Sequence, residues 1–556
     1  MFTIRALSDT LLSLIADAVS LTSEEVRAAG TTVTLLDTTS HHQGDLTTNA
    51  AMTLARALKK PPRAIAEQIV AAIKSQIELN QYSSLSHIEI AGPGFINITL
   101  APQAWASLVQ QISTSPIAFF KAETKQEPHS YLIEYVSANP TGPLHLGHGR
   151  NAIIGDILAH VLRFIGHDVT TEFYINDAGS QMQKLGTSLK ARCIELLGGA
   201  AEIPEEGYHG EYLIEIAEEC VQEHGSSVLL ENDINFFTSY AKNRLIAQQK
   251  EELADYGVKL DSWFSELSLH NSGAITDALS ELERRKFLYT KDGALWFKST
   301  EFGDDKDRVI RKQDGNLTYI APDIAYHVNK FARGAQTLID IVGQDHHGYV
   351  LRLKGTLAAL GYDANRLNVI LYQLVSLKQG DAPVKMSKRS GNFIGLREVI
   401  DTVGVDAARF FFLHKKADSH LELDIDIALK QSQENPVFYL QYAYVRTLSI
   451  MQKATDLGIT ADITFGACTS EEIAVLKKLL GFGGALNAVA TQYATHMLAT
   501  YALDLAQVFH TFYTNNRVVD AAQPETTARR LALIAVTQQT LGLTLDLLGL
   551  SRRESM

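Results

Sequence analysis

Two short stretches carry side chains whose types and spacing suit phosphate chemistry. The first is Pro143-Leu144-His145-Leu146-Gly147-His148. Two histidines three apart at a helix start share one face, and both can donate hydrogen bonds to one polyphosphate. Gly147 between them leaves room for a flat base against the backbone. A pair of surface histidines is the plain alternative. The second is Val384-Lys385-Met386-Ser387-Lys388-Arg389-Ser390-Gly391-Asn392, a polar loop with three cations in five residues. Lys and Arg side chains on a loop suit a site where charge builds on phosphate oxygens. A solvated basic loop is the alternative there. The two motifs in this order, about 240 residues apart, are far more specific than either alone.

Together they resemble the two signatures of class I aminoacyl-tRNA synthetases. Longer stretches narrow the resemblance to arginyl-tRNA synthetases of the bacterial type. They are the run from Glu134 through Asn139 to His148, the run from Phe173 to Gln181, Gly343-Gln344-Asp345-His346-His347-Gly348-Tyr349, and the run from Tyr439 to Arg446. The resemblance covers essentially the whole chain. It implies ligation of L-arginine to tRNA(Arg) with ATP, through an arginyl-adenylate, in protein synthesis. His145, His148 and Lys388 would then be catalytic, and His145, Gly147, His148, Gly343, Lys385 and Lys388 would hold ATP. Mg²⁺ is expected as the counterion of ATP, with no metal held by protein ligands alone. The family holds the arginine side chain with a Glu and an Asn before the histidine motif and a Tyr-x-x-x-Asp element later. Glu134, Asn139, Tyr319 and Asp323 match those positions, with Gln344 as a further member. Two carboxylates are what a guanidinium fork needs if its charge is to be balanced on burial.

The resemblance also implies tRNA contacts at Phe95 and Asn97 in the N-terminal part. Others fall at Tyr439 and Tyr442 in the C-terminal part and at the chain end, Met556. An aromatic beside an amide suits an unstacked base. Many arginyl enzymes lack the second Lys of the KMSK motif and place a substitute just before the histidines. Here Lys388 is present and residues 141–144 contain no Lys, so the main role falls to Lys388. The competing readings are a class I synthetase for another amino acid such as lysine, and a non-catalytic tRNA-binding paralogue. The full set of signature residues disfavours the second.

The elements that must position these residues can be read from periodicity. Residues 1–19 predict an amphipathic helix, with Asp9 and Asp17 inside the pattern where a secretory leader would be apolar. Helices follow at 47–60 and 64–74, then strands at 87–91 and 95–100 joined by Gly92-Pro93-Gly94. This is an α+β unit, assigned to 1–118. Residues 121–130 read as a polar linker. Strand–helix alternation then predicts a Rossmann-type α/β domain over 119–430, with a strand at 131–136, a helix at 146–165 and a strand at 169–175. From 431 to 556 strand signals fade and four long helices predict an all-α bundle.

Composition limits the partners. Across the 556 residues, Asp and Glu number 63 against 50 Lys and Arg, a net charge of −13, which taken alone argues against nucleic-acid binding. The excess is local: residues 191–260 hold fourteen acids against five bases, and residues 431–556 are near neutral. The three cysteines form no C-x-x-C pair, which disfavours a zinc site or a disulfide framework. No run of about 18 uninterrupted apolar residues predicts a membrane span. A cytoplasmic monomer is the expectation.

Overall fold

The computed structural model describes residues 2–36, 44–78, 82–124, 126–230, 233–380, 382–383, 394–463 and 468–556. They fall into two units: Glu127–Lys430 with Tyr493–His496, and Met1–Gln126 with Gln431–Gln492 and Met497–Met556.

The first unit is built on five parallel strands. Their order is Leu367–Tyr372, Thr337–Gly343, Ser130–Glu134, Asp168–Ile175, Ser262–Ser265. The strand that comes first in the chain lies in the middle. The chain builds outward on one side and then returns to the other. The reversal falls between Ser130–Glu134 and Thr337–Gly343, and open α/β sheets hold ligands outside the carboxyl ends of strands at such a point.

The helix Leu146–Ile165 is buried along most of its length, and Gly166 closes it in the left-handed conformation. It approaches the chain closely at Gly155, where a Cβ would stand 2.3 Å from Cγ of the Tyr135 ring. That ring is itself fully buried and has nowhere to go. Gly155→Ala is therefore expected to destabilise the protein by about 1–3 kcal/mol through overpacking. Thermal unfolding monitored by circular dichroism checks this.

The strand expected at 131–136 stops at Glu134 because Val136 and Ser137 take φ of 67° and 42°. That left-handed region is costly for a β-branched residue and cannot continue a ladder. The turn is over-determined. The Val136 amide donates to Asn151 Oδ1 at 2.8 Å, and Asn151 Nδ2 donates to the Ile341 carbonyl at 2.8 Å. The acidic segment folds as the helices Ser180–Leu196, Tyr212–His224 and Ile234–Asp255 around a core that includes Leu185, Leu189, Phe237 and Leu245. Cys193 and Cys220 are free and buried in that core.

The second unit contains a four-stranded antiparallel sheet in the order Val33–Leu35, Leu46–Thr48, Phe95–Leu100, Leu85–Ala91. The helices Ile4–Val19 and Pro62–Glu78 back it. The helix expected from 47 starts later, at Ala50. Leu46–Thr48 is a strand instead, because pairing with Phe95–Leu100 buries Leu46 and Thr48. The expected linker is partly helix: Pro116–Thr124 continues past residue 121 because Phe119, Phe120 and Thr124 are buried. The C-terminal segment supplies the long helices Pro436–Asp456, Ser470–Gln492, His496–Asn515 and Pro524–Leu548. It shares a core with the N-terminal segment. Phe120 meets Phe482 edge-on at 4.8 Å, and Lys477 bonds the Gly44 carbonyl at 2.8 Å and Asp45 at 3.0 Å. Ser470–Gln492 and Pro524–Leu548 are long and apolar enough to span a membrane, but they bury much of that surface inside this unit.

Candidate active site

The reversal of strand order opens into a cavity of 870 Å³ within the first unit. Glu134, Asn139, His145, His148, Tyr319, Asp323 and Gly343 all line it. Residues singled out from three separate segments of the sequence are therefore brought together in one cavity. Gln344 is not among the lining residues. Gly147 sits just behind the wall, where a Cβ would stand 3.0 Å from the His145 ring and 3.7 Å from the Tyr372 hydroxyl. Lys385 and Lys388 lie outside the described residues. Just beyond that loop, Gly395 bridges to His145, and the Leu396 amide donates to the Leu144 carbonyl at 2.8 Å.

One end of the cavity is the start of the helix Leu146–Ile165. His145 is its N-cap, and His145 and His148 form a reciprocal capping pair. Their rings stack with centroids 3.6 Å apart. The Gly147 amide donates to His145 Nδ1 at 3.1 Å, and the His145 amide donates to His148 Nδ1 at 3.3 Å. A neutral ring whose Nδ1 accepts must carry its proton on Nε2. Burial, with the His145 ring beside it, pulls His148 down to about 3. Burial lowers His145 as well, against a smaller opposing pull from a backbone hydrogen bond. Both rings are thus neutral Nε2–H donors at a helix N-terminus, where the backbone dipole favours anions.

The other end is acidic, and its walls are tied together by the helix Ile320–Ala332. Glu134 is the register partner of Asp340 on one side and of Glu172 on the other. Three carboxylates in a row across parallel strands repel unless they are compensated. The helix compensates them. Lys330 donates to Glu134 at 2.5 Å and to Asp340 at 2.7 Å, and Arg333 forks onto Glu172 at 2.6 and 2.7 Å. Ser137 Oγ donates to the remaining Glu134 oxygen at 2.8 Å. Asp323, one turn before His327, accepts from the Tyr349 hydroxyl. Burial pushes the Asp323 carboxyl up to about 6. Glu134 and Glu266 add to that rise, while His327 and Tyr349 oppose it. Tyr319 is 76% exposed at the mouth. Asn139 donates to Gln181 at 3.3 Å.

Sequence reading missed Lys330, His327 and Asp340. A signal was present: Asp323, His327 and Lys330 follow i, i+4, i+7 spacing, a polar stripe on a helix otherwise buried with Ile324, Ala325 and Tyr326. No local signal marks Asp340, in the apolar strand Thr337–Gly343.

The expected tRNA contacts lie in the other unit. Phe95 is 41% exposed at the start of its strand, whereas Asn97 is buried, only 4% exposed. Phe95 alone of that pair is therefore presented at the surface. Tyr439 and Tyr442 are half-buried beside His510, with ring centroids at 4.6 and 5.5 Å. Arg446 lies over the Tyr442 and Tyr513 rings at 5.0 and 5.2 Å. Met556 is 43% exposed.

Comparison with known proteins agrees with this geometry. Residues 110–429 match the family model described as tRNA synthetases class I (R), catalytic domain. The domain that carries this switch-point cavity is thus the catalytic domain of a class I aminoacyl-tRNA synthetase. Residues 9–100 match the arginyl tRNA synthetase N terminal domain and residues 440–556 the DALR anticodon binding domain. The arginine–tRNA ligase of Shouchella clausii (strain KSM-K16) is 45% identical over 519 residues, 92% of each chain. That of Geobacillus kaustophilus (strain HTA426) is 44% identical over 520 residues, again 92% of each. The solved Thermus thermophilus arginyl-tRNA synthetase superposes with a TM-score of 0.73 over 99% of this chain and 100% of that one. At 22% identity it attests the fold alone. The chain belongs to the arginyl-tRNA synthetase family.

Proposed function

We propose that the chain joins L-arginine to tRNA(Arg) at the expense of ATP, with the acidic end of the cavity holding the guanidinium and the histidine end holding the triphosphate. The observation that carries this reading is the presence of Glu134 and Asp323 in the same cavity as the His145–His148 helix start. The carboxylate of arginine attacks the α-phosphorus of ATP and pyrophosphate leaves. A terminal ribose hydroxyl of the tRNA then attacks the adenylate carbonyl and AMP leaves. The protein supplies no nucleophile. It positions two substrates and stabilises charge on phosphate oxygens.

His145 and His148 donate Nε2–H bonds to the phosphates. Gly147 and Gly343 keep the backbone low beside the nucleotide, and Lys385 and Lys388 meet the charge that builds on pyrophosphate. Mg²⁺ enters with ATP as part of that substrate. Glu134, Asn139, Tyr319 and Asp323, which line the cavity, recognise arginine. Residues 1–118 and 431–556 are the tRNA-contacting modules, through Phe95 and through Tyr439, Tyr442 and Met556; Asn97, buried beside Phe95, supports that strand from within. Their basic content is low, so base stacking carries much of the affinity there. The cytoplasm, where tRNA is charged for translation, is the place of action.

Pyrophosphate exchange with a panel of amino acids, with and without total tRNA, tests this. Exchange with arginine is expected. Exchange with lysine and not arginine would assign a different substrate, and no exchange under any condition would leave a tRNA-binding protein.

A further inference from the structure

Lys330 is fully buried, yet it has no place in the set assigned to arginine recognition. A buried ammonium is retained only where it is paired on several sides. Its nitrogen bonds Glu134 Oε2 and Asp340 Oδ1 and lies 4.3 Å from the centroid of the Tyr326 ring. Asp340 Oδ2 bonds His327 Nε2 at 2.7 Å, and His327 Nδ1 donates to the Asp323 carbonyl at 2.8 Å. One hydrogen-bonded chain therefore runs from Glu134 through Lys330, Asp340 and His327 to the backbone of Asp323.

We propose that Lys330 is a positioning residue for arginine recognition: it cancels the charge of Asp340 and pins one Glu134 oxygen, leaving the pocket matched to a single guanidinium. This inference rests on the arginine reading of the pocket. The two carboxylates are register neighbours, and among the described residues no other lysine or arginine pairs with either, since Arg333 is committed to Glu172. Burial opposes the Lys330 charge, but Asp340 and Glu134 outweigh it and hold its pKa above the usual lysine value. Asp340 is likewise held well below the usual carboxylate range by Lys330 and His327, against the effect of burial. Without Lys330, adjacent carboxylates cannot both stay ionised and one proton is retained near neutral pH. Arginine must then displace that proton.

The groups facing Lys330 are Glu134 and Asp340 from the two strands and Tyr326 and His327 from its own helix. The Glu172–Arg333 pair lies one strand away. The test is the KM for arginine and for ATP in tRNA charging, measured across neutral to alkaline pH. For Lys330→Met the arginine KM should rise by about 30-fold near neutral pH, as expected for loss of a charge-assisted contact, and recover as pH rises. The ATP KM should stay within about twofold, since no phosphate contact is lost. Lys330→Met combined with Asp340→Asn should regain most of the arginine affinity and lose the added pH dependence. Equal rises in both KM values would overturn the proposal, as would a double variant as impaired as the single at every pH. If Lys330→Met does not fold, Asp340→Asn alone asks the same question from the other side. It should weaken arginine and not ATP, and an unchanged arginine KM overturns the idea. Asp323→Ala is run alongside. If the wild type does not charge with arginine, or Asp323→Ala leaves its arginine KM unmoved, the pocket reading itself fails and this inference with it. If those controls behave and only the Lys330 arm fails, the pocket reading stands.

Discussion

Replacing Asp323 by alanine is expected to raise the KM for arginine by about 10²–10³-fold, the effect of leaving one partner of a buried charge pair alone. The KM for ATP should move far less, because Asp323 sits with Tyr349 at the acidic end and away from the capped helix start. Steady-state charging with each substrate varied in turn measures the split, and equal effects on both would remove the guanidinium role. The pH dependence follows from the same carboxyl. Burial pushes it up to about 6 in the empty pocket, so a cationic side chain binds best once it is ionised. Arginine affinity should fall about tenfold per pH unit as the pH drops below that value.

Stability runs the other way. A carboxyl raised from its unfolded value of about 3.9 costs folding free energy wherever it is ionised in the native state. Asp323→Asn should therefore stabilise the unliganded protein by on the order of 3 kcal/mol above the folded pKa. That gain should vanish below the unfolded value. Thermal unfolding across that range would show it, and a gain independent of pH would point to packing. The buried Asp323 carboxylate is thus a destabilising charge that a cationic ligand would offset.

His148→Ala is the second large effect, an expected loss of about 10²–10³ in the rate of adenylate formation from one missing donor to a charge-building phosphate. The structure makes the prediction sharper than the motif does. His148 Nδ1 accepts from the His145 amide, and burial holds the ring at about 3, so the residue acts as a neutral Nε2–H donor. His148→Gln, which places an N–H at similar reach, should recover a clear part of the rate. If the imidazole acted as a cation, Gln would be as poor as Ala and the rate would follow histidine titration near neutral pH. Pyrophosphate exchange for the three proteins across pH separates these outcomes.

Much of this was legible in the chain. The His145–His148 motif announces itself because it caps the helix that begins at Leu146, and local geometry is written in local sequence. Glu134 and Asp323 were found because each stands at a fixed offset within its own recognisable segment. The helix at 146–165 was legible because its apolar pattern runs unbroken to Gly166. The strand end at 134 was not. The left-handed Val136 that ends it is held by Asn151 and Ile341, which come from a later helix and a distant strand. The late start of the helix at Ala50 has the same cause, since only pairing with Phe95–Leu100 makes Leu46–Thr48 a strand.

Sequence by itself determined the family and the order of its parts, an α/β domain between an α+β segment and a helical one, and it named the side chains proposed to meet phosphates and a guanidinium. Tertiary structure decided how the charges are balanced. Glu134, Asp340 and Glu172 are far apart in the chain and become neighbours only through the parallel register of three strands. The cations that make this tolerable, Lys330 and Arg333, act only because one helix lays its polar stripe across that row. It also placed the two chain ends in one unit, through Phe120 on Phe482 and Lys477 on Asp45. Side-chain type and short-range spacing are properties of the chain. Which carboxylate repels which, and which cation offsets the repulsion, depends on distances of a few ångströms that exist only after the strands have ordered.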